Sequence, residues 1–388
     1  MTRKVIYISY IRLTDKTSRD WLLDFLIKKG IHVEFWDIVS LVRQSYQEES
    51  AKTGEYLKMI SSYEELESRI KCSDNKEAIY VILVSYALFT VRFFRLLKKY
   101  NCFTMFFSWG SWPIKPKSFF EHAHFIASSP LSYFSSFIGR LKTFAYRYFG
   151  LVNPFDVLFC AGETLLKIPH HASKVVPINF ADYYQFLLNQ NVAPIIQGSY
   201  AVFLDVFLPF HPDSKLLGWG AVNPDNYYSS LNRFFEMLEH KYSVKVVVAA
   251  HPRSNYGNNN PYSQRQIIFG NTANVVKYSN FVISHSSSSQ SYAILNEKPL
   301  VFIYTNEMVS VYKSTPYLYE IYDSSDYLDS TLLNIDNVFS QEDIEIKGVS
   351  QDRYDSYKYN FLVSRVSEWK SNEDIFLDEI NNRWSSLE

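Results

Sequence analysis

Short apolar runs alternate with helical segments along the whole chain, and this alternation restricts the fold more than any other feature. The run Ala78–Tyr86 (AIYVILVSY) is apolar almost throughout, as expected for a strand buried on both faces of a sheet. Similar runs occur at Lys4–Ile11, His32–Ile38 and Asp156–Gly162, and the Ser18–Gly30 segment has helical apolar spacing. Because strands that alternate with helices form parallel sheets, the pattern predicts an α/β fold.

The alternation begins again after an irregular polar segment, Gln185–Gly198, which we interpret as a link between two domains. A strand is predicted at Ser199–Asp205, and a helix from Pro224 to about His240, with Asn223 as its N-cap. A length of 388 residues is too great for one ordinary core. We therefore predict Rossmann-like domains at residues 1–190 and 191–360, and a C-terminal helix at 361–388 that packs back on the first domain.

Composition excludes some classes of protein. A formal net charge of −1 gives no global field to hold nucleic acid. No run of about 18 apolar residues and no signal peptide is found, so a cytoplasmic protein is expected. Cys102 and Cys160 lie beside apolar runs and, with Cys72, lack metal-ligand spacing, which favours buried thiols in a reducing compartment. The aromatic content of 17% suits a core, carbohydrate stacking or a membrane surface equally.

Four consecutive serines stand between a predicted strand and a predicted helix. The strand Phe281–Ile283 runs into Ser284–Gln290 (SHSSSSQ), and a helix follows at once. Serine hydroxyls and free N–H groups at a helix N-terminus bind anions. A plain serine N-cap, the alternative, needs one or two serines. We therefore predict that a phosphate is bound here, by Ser286, Ser287, Ser288 and Gln290.

A second polar group follows another strand of the same half. His251, Pro252 and Arg253 come directly after the apolar run Val244–Ala250. A histidine can donate a hydrogen bond to a phosphate oxygen, and an arginine supplies positive charge. A single histidine after a strand is more often structural, but this one is expected to lie next to the serine turn. The polar insert Ser254–Arg265 is expected to fold over the ligand.

This pair of motifs resembles the donor site of bacterial glycosyltransferases that use CMP-activated ulosonic acids, the sialyltransferases, polysialyltransferases and Kdo transferases. The matching residues are His251-Pro252 and the serines at 286–289, within residues 199–305. The acidic motif of the sialyltransferases is missing, and Ala161–Glu163 (AGE) is the nearest segment. Phe203–Asp213 (FLDVFLPFHPD) is more similar to the retaining β-Kdo transferases of surface-polysaccharide synthesis.

The resemblance implies a GT-B fold, in which two Rossmann-like domains with parallel sheets face a cleft and C-terminal helices follow. Residues 1–190 would bind the acceptor and 191–360 the donor nucleotide. It implies transfer of Kdo from CMP-Kdo to a growing O-antigen, capsule or lipopolysaccharide, with retention. Asp205 would be the nucleophile and Glu163 the acceptor base, although a strand-end aspartate also commonly caps a turn. No cofactor and no metal are expected, since His251, Arg253 and the helix N-terminus can hold the phosphate.

Aromatic residues suggest an acceptor site and a membrane contact. Trp109 and Trp112 follow a strand of the first half, where they would stack on acceptor sugars or, equally, belong to the core. The segments 90–100 and 136–150 mix basic and aromatic residues. They would hold the protein to an anionic membrane carrying lipid-linked acceptors, but a sheet-packing face with a charged outer edge is the favoured interpretation.

Three alternative functions remain open from the sequence. Two are enzymes: an inverting sialyltransferase-like enzyme, and a UDP-sugar transferase or epimerase on the same fold. The third is a non-catalytic glycan-binding subunit, against which the presence of both Asp205 and His251 argues. The expected partners are a CMP-activated sugar and a glycan or lipid-linked glycan acceptor, and no nucleic acid.

Overall fold

The computed structural model describes residues 3–42, 52–109, 112–115, 130–211, 214, 218–256, 259–313 and 315–388. These residues form two parallel sheets, which confirms the predicted α/β class with two Rossmann-like units. The first sheet has, within these ranges, seven strands in the order β3-β2-β1-β4-β5-β6-β7. They are β1 Lys4–Ser9, β2 His32–Asp37, β3 Leu57–Met59, β4 Ala78–Leu83, β5 Phe103–Ser108, β6 Phe155–Ala161 and β7 Ala172–Ile178.

The second sheet repeats this plan with six strands in the described part of the chain. Their order is β10-β9-β8-β11-β12-β13. They are β8 Tyr200–Leu204, β9 Lys245–Ala249, β10 Ile267–Ile268, β11 Val282–Ser284, β12 Leu300–Tyr304 and β13 Thr331–Asn334. β1 pairs with β2 on one side and β4 on the other, and β8 pairs in the same way with β9 and β11. The strand order therefore reverses at β1 and at β8. Folds of this type bind ligands at the carboxyl ends of the strands where the order reverses.

The central strands are buried on both faces, as their continuous apolar runs predict. In β1, Val5 and Tyr7 enter one apolar cluster and Ile6 and Ile8 enter the cluster on the opposite face. Three of the four outermost strands described, β3, β7 and β13, are not among the predicted strands. Each lies at the edge of its sheet and is partly exposed, so its sequence lacks a continuous apolar run.

Helices cover the sheets, with one departure from the helices discussed so far. Asn223 caps the helix Pro224–Tyr242 as predicted, with its side chain accepting a hydrogen bond from the Asn226 N–H. The single helix predicted at Ser18–Gly30 is instead two, because Leu22 adopts a left-handed conformation at φ 60°. The α-helices are Asp15–Asp20, Leu23–Lys28, Val39–Val42, Tyr63–Cys72, Val91–Lys99, Pro130–Tyr148, Glu163–Leu166, Ala181–Leu188, Pro224–Tyr242, Thr272–Lys277, Gln290–Leu295, Asn306–Tyr312, Pro316–Leu328, Gln351–Tyr357 and Asn372–Ser385. Short 3₁₀ turns lie at Leu88–Thr90, Leu208–Phe210, Ile335–Asn337 and Gln341–Asp343, and a π-helical turn at Lys358–Leu362.

The chain passes between the two sheets at two adjacent places. The Phe180 N–H donates to the Leu362 carbonyl (2.7 Å), so the outgoing and returning segments lie side by side. Beside them, the Asn179 N–H donates to Asn372 Oδ1 (3.0 Å) and Asn372 Nδ2 donates to the Asn179 carbonyl (2.8 Å). The two asparagines therefore hold the crossing segments together in a buried site.

The elements next to these crossings differ in detail from the sequence prediction. The helix Ala181–Leu188 includes the first four residues of the predicted link, 185–188. Of the C-terminal helix predicted at residues 361–388, the part that is α-helical is Asn372–Ser385. Through Phe376, Ile380 and Trp384 this helix joins the apolar core of the first sheet.

Two further predictions concern thiols and membrane spans. Cys102 and Cys160 are buried, as expected, and Cys72 is exposed. Within the described ranges, no helix combines the length and the apolar character that a bilayer crossing requires.

Candidate active site

A cavity of about 750 Å³ lies between the two sheets, at the carboxyl ends of β1 and β8. Its first wall comes from the N-terminal half and its second from the C-terminal half. The first wall includes Ile11, Arg12, Thr14, Asp15, Lys16, Thr17, Asp20, Trp21, Trp109, Phe180, Ala181 and Asp182. The second includes Leu204, Asp205, Ala249, Ala250, His251, Pro252, Arg253, Thr272, Ser287, Ser288 and Ser289. The cleft is therefore where the fold class places ligands.

Asp205 lies at the end of β8, where it lines the cavity although only 4% of its surface is exposed. Its Oδ1 accepts a hydrogen bond from the Phe207 N–H (2.7 Å), and its Oδ2 accepts one from the Tyr256 hydroxyl. Burial raises the pKa of Asp205, and hydrogen bonds, of which those from Tyr256 and Phe207 are the largest, oppose the shift without cancelling it. A carboxylate has about four lone-pair positions, so each oxygen can still engage a ligand.

Three tyrosines lie near the Asp205 carboxyl group, on the side away from the cavity. Burial and the nearby Asp205 charge raise the pKa of Tyr228, Tyr256 and Tyr262, so their hydroxyls stay protonated. Within the described residues, the Tyr228 and Tyr262 hydroxyls have no hydrogen-bond partner. The hydroxyl of Tyr256, which belongs to the predicted covering insert, donates a hydrogen bond to the carboxylate.

His251 follows β9 in a tight turn beside the cavity. The Arg253 N–H donates to His251 Nδ1 (3.2 Å), and the Ser254 hydroxyl donates to the His251 carbonyl (2.7 Å). Since Nδ1 accepts a hydrogen bond, Nε2 carries the hydrogen in the neutral ring and can donate to a phosphate oxygen. The His211 ring lies edge-on at 5.1 Å between centroids. The structure thus brings His251 and Arg253 into the same cavity as Asp205.

Some side chains of the serine turn line the cavity, and others are buried in the protein. Ser287 and Ser288 line the cavity, together with Ser289, which the sequence prediction did not include among the ligands. Ser286 is buried, with its hydroxyl donating to Glu320 (3.2 Å). Gln290 is fully buried, and its Nε2 donates to the Tyr357 hydroxyl (3.2 Å). Ser286 and Gln290 therefore support the turn from behind, and their side chains are not among the residues that line the cavity.

The histidine inside the serine turn belongs to the core. His285 is fully buried; its Nδ1 donates to the Ile303 carbonyl (2.7 Å), and Nε2 accepts from the Tyr227 hydroxyl (2.9 Å). Burial lowers the pKa of His285 to about 4, so the ring is neutral. It fixes the end of β11 rather than acting on a ligand.

Glu163 is not brought into the cavity. It begins a short helix after β6 and pairs with Arg365 (2.8 Å) of the returning C-terminal segment. Partial burial opposes ionisation, but the hydrogen bonds and charge of Arg365 outweigh it and lower the pKa of Glu163. At Gly162 a Cβ would lie 2.5 Å from the Asn360 carbonyl, because that segment approaches so closely. Glu163 therefore lies at a contact between the two halves, and this placement does not suit an acceptor base.

The two tryptophans have different surroundings. Trp109 lines the cavity, stacks on Phe107 with ring centroids 5.1 Å apart, and meets Trp21 edge-on at 5.8 Å. Its indole Nε1 is buried without a hydrogen-bond partner among the described residues. Trp112 is half-buried and does not belong to the cavity lining, while nearby Lys115 pairs with Asp326 across the cleft (2.6 Å).

The sequence prediction missed the charged residues of the first wall. Arg12 pairs with Asp37 (2.8 Å), and Lys16 pairs with Asp20. They follow β1, so the rule that ligands bind beyond strand ends was the available signal. Asp182 begins the helix after β7 and accepts from the Ser291 hydroxyl (2.6 Å); burial raises its pKa.

Comparison with known proteins identifies the fold. No family model matches the sequence, and no curated protein matches it. The structure of the wall teichoic acid polymerase TagF soaked with CDPG matches with a TM-score of 0.51 at 12% identity, over 100% of this chain and 90% of that one. Lower scores are found for the glycotransferase of kitacinnamycin (0.46, 9% identity, 100% and 96% covered) and for UDP-GlcNAc 2-epimerase from Methanocaldococcus jannaschii (0.44, 13% identity, 98% and 100% covered).

The two parallel sheets, the cleft between them and this match define an α/β protein of the GT-B fold, the class expected from the sequence. At such identities the likeness extends to the fold alone.

Proposed function

We propose that the protein is a glycosyltransferase that transfers a ulosonic acid, with Kdo favoured, from a CMP-activated donor to a bacterial surface polysaccharide, with retention. One observation carries the proposal. Asp205, His251, Arg253 and the serine turn Ser287–Ser289 form one wall of a single cavity between the sheets. The proposed nucleophile and the proposed phosphate ligands thus belong to one site.

The second wall of the cavity suits the nucleotide phosphate. His251 Nε2–H and the Arg253 guanidinium are charge-compatible donors, and the serine hydroxyls add neutral ones. These groups compensate the phosphate charge without a metal ion, so the expectation of no metal and no cofactor is kept as part of the proposal. A chelator added during turnover should then leave the rate unchanged.

Retention follows from two displacements at the anomeric carbon. In the first, an Asp205 oxygen attacks that carbon, the bond to the CMP phosphate oxygen breaks, and CMP leaves with the bonding electron pair. In the second, an acceptor hydroxyl attacks the same carbon, the glycosyl ester breaks, and the Asp205 carboxylate is restored. The hydroxyl proton passes to a base, and two inversions give net retention.

Asp15 takes the place of Glu163 as the acceptor base in this proposal. It lines the first wall, 87% of its side chain is exposed, and its nearest cation, Lys52, lies 3.5 Å away. The other carboxylates of that wall are engaged, Asp20 by Lys16 and Asp182 by two hydroxyls. Trp109, on the same wall, supplies an aromatic face for an acceptor sugar. Acceptor binding by Trp112 stays a prediction.

A nucleotide screen followed by product analysis tests the proposal. CMP should raise the melting temperature, whereas UDP and GDP should not. Incubation with CMP-Kdo and a glycan acceptor should yield a product of unchanged anomeric configuration by NMR. Protection by UDP alone would favour the UDP-sugar transferase or epimerase, and an inverted product would favour the sialyltransferase-like enzyme. Nucleotide binding without any product would favour a non-catalytic subunit.

The proposed setting is the cytoplasm, where activated nucleotide sugars are available. The acceptor would be a glycan or a lipid-linked glycan.

A further inference from the structure

The helix Pro130–Tyr148 presents an apolar stripe to solvent. Phe134, Phe137, Leu141, Phe144 and Tyr148 recur every three or four residues, so they share one face. All five are exposed, by between 54% for Phe137 and 74% for Tyr148. We call these five residues the aromatic stripe. Scattered exposed apolar residues are ordinary, but a continuous row along one helix marks an interaction surface.

The opposite face of this helix is already occupied. The Tyr86 hydroxyl donates to the Thr143 carbonyl (3.0 Å), and the Arg147 guanidinium lies 4.1 Å from the centre of the Tyr86 ring. Tyr146 packs against the apolar cluster beneath. The helix is therefore anchored to the first sheet by one face, and the aromatic stripe is not needed for that packing.

The helix that carries the aromatic stripe and the segment on which it packs have only basic residues among their charged residues. Segments 88–100 and 130–151 contain seven lysines and arginines and no aspartate or glutamate. Arg92 and Lys99 are paired with glutamates of a neighbouring helix, at 3.6 and 2.5 Å. Arg140 and Lys142 are exposed on either side of Leu141, in the middle of the stripe.

We infer that the aromatic stripe is a docking surface for an anionic lipid bilayer. A row of aromatic and aliphatic side chains flanked by cations is the composition of a helix that lies in the interface of a membrane. A second copy of the chain suits the surface less well, because pairing two such faces would bring Arg140 and Lys142 against the same cations. The surface belongs to the half that carries the proposed acceptor wall, so docking would bring that wall to lipid-linked acceptors.

Vesicle co-sedimentation of the full chain tests the inference. The protein should bind vesicles of phosphatidylcholine mixed with phosphatidylglycerol, bind phosphatidylcholine alone more weakly, and lose the difference at high salt. The double variant F137S/F144S should lower partitioning at least about tenfold, and R140E/K142E should remove the preference for the anionic lipid. Phe339→Ser, which alters an even more exposed phenylalanine on the other half (78%), is the control and should bind as the wild type does.

Two controls and two contrary results complete the test of membrane docking. Circular dichroism and the CMP-induced melting shift should be unchanged in every variant, which separates lost docking from lost folding or donor binding. Absence of vesicle binding by the wild type would overturn the inference whatever the enzyme activity. A dimer in analytical ultracentrifugation that F137S/F144S dissociates would assign the stripe to a second copy and would also overturn it.

Discussion

Replacement of Asp205 by asparagine should abolish turnover without weakening the fold. Asparagine keeps the size of the side chain, its Oδ1 can still accept from the Phe207 N–H, and the Tyr256 hydroxyl can rotate to accept from the new amide. The amide cannot form the glycosyl ester. We expect kcat to fall at least about a hundredfold, or ~2.7 kcal/mol in activation free energy, while CMP affinity is retained.

The same substitution should lower the activity but raise the stability of the folded protein at neutral pH. Burial raises the pKa of Asp205, so the folded protein disfavours the charged carboxylate. In the wild type, the protonated Asp205 makes its full contribution to the free energy of unfolding below about pH 4, the ordinary pKa of an aspartate. This contribution is lost as the pH rises through the raised pKa of the folded state. The neutral asparagine of Asp205→Asn does not titrate, so the variant does not lose stability in this way. Its free energy of unfolding should match that of the wild type in acid and exceed it at neutral pH.

Asp156→Asn is the control that distinguishes the loss of a catalytic group from the loss of a buried carboxylate. Asp156 is also a partly buried carboxylate that accepts from a backbone N–H (Thr104, 2.7 Å) and a hydroxyl, and burial raises its pKa, but it lies outside the cavity. Asp156→Asn should likewise gain stability over the wild type as pH rises from acid to neutral, with normal kcat. Initial rates with CMP-Kdo and urea unfolding across pH measure both quantities. A normal rate for Asp205→Asn would refute the nucleophile, and a loss of stability at neutral pH would assign Asp205 to capping the turn at Phe207.

Three further outcomes are expected from the same cavity. His251→Ala should weaken CMP binding by about 1.5–3 kcal/mol in a calorimetric titration, the contribution of a hydrogen bond to a charged group; unchanged affinity would remove His251 from the donor site. Trp109→Ala should raise the acceptor KM more than the donor KM, whereas Trp112→Ala, outside the cavity lining, should change the acceptor KM less. Tyr256→Phe removes a hydrogen bond that lowers the pKa of the nucleophile, so the acid limb of the kcat/KM profile should move to higher pH. Tyr228→Phe, which removes a hydroxyl without a described partner, should leave that limb in place.

The central strands were predictable because burial on both faces imposes a continuous apolar sequence. Three edge strands, β3, β7 and β13, were not. The sequence of β7 (ASKVVPI), for example, has exposed positions and a proline, which only an edge tolerates. The break at Leu22 was hidden for a different reason. Leu22, Leu23 and Leu26 are all buried, so the apolar spacing continues through a change of backbone direction.

The second wall of the site was predictable and much of the first was not. Asp205 and His251 each follow a strand that the sequence identifies, and neighbouring strand ends must meet. The position of Glu163 depends on the returning segment at Arg365, some two hundred residues further along the chain. No local pattern records such a long-range contact. Residues 15 and 16 follow β1, so the rule that ligands bind beyond strand ends was the signal available for them.

The return of the chain to its first sheet sets an order of events during synthesis. All strands described in the second sheet lie between residues 200 and 334, and the core of that half takes its last side chains from Phe361 and Leu362, before the closing segment of the first half is made. The core of the first sheet includes Phe376, Ile380 and Trp384, and it stays incomplete until these residues have left the exit tunnel. The N-terminal half is thus synthesised first, but its apolar core is completed last. A fragment ending at residue 190 would leave an apolar face of that sheet uncovered and prone to aggregate.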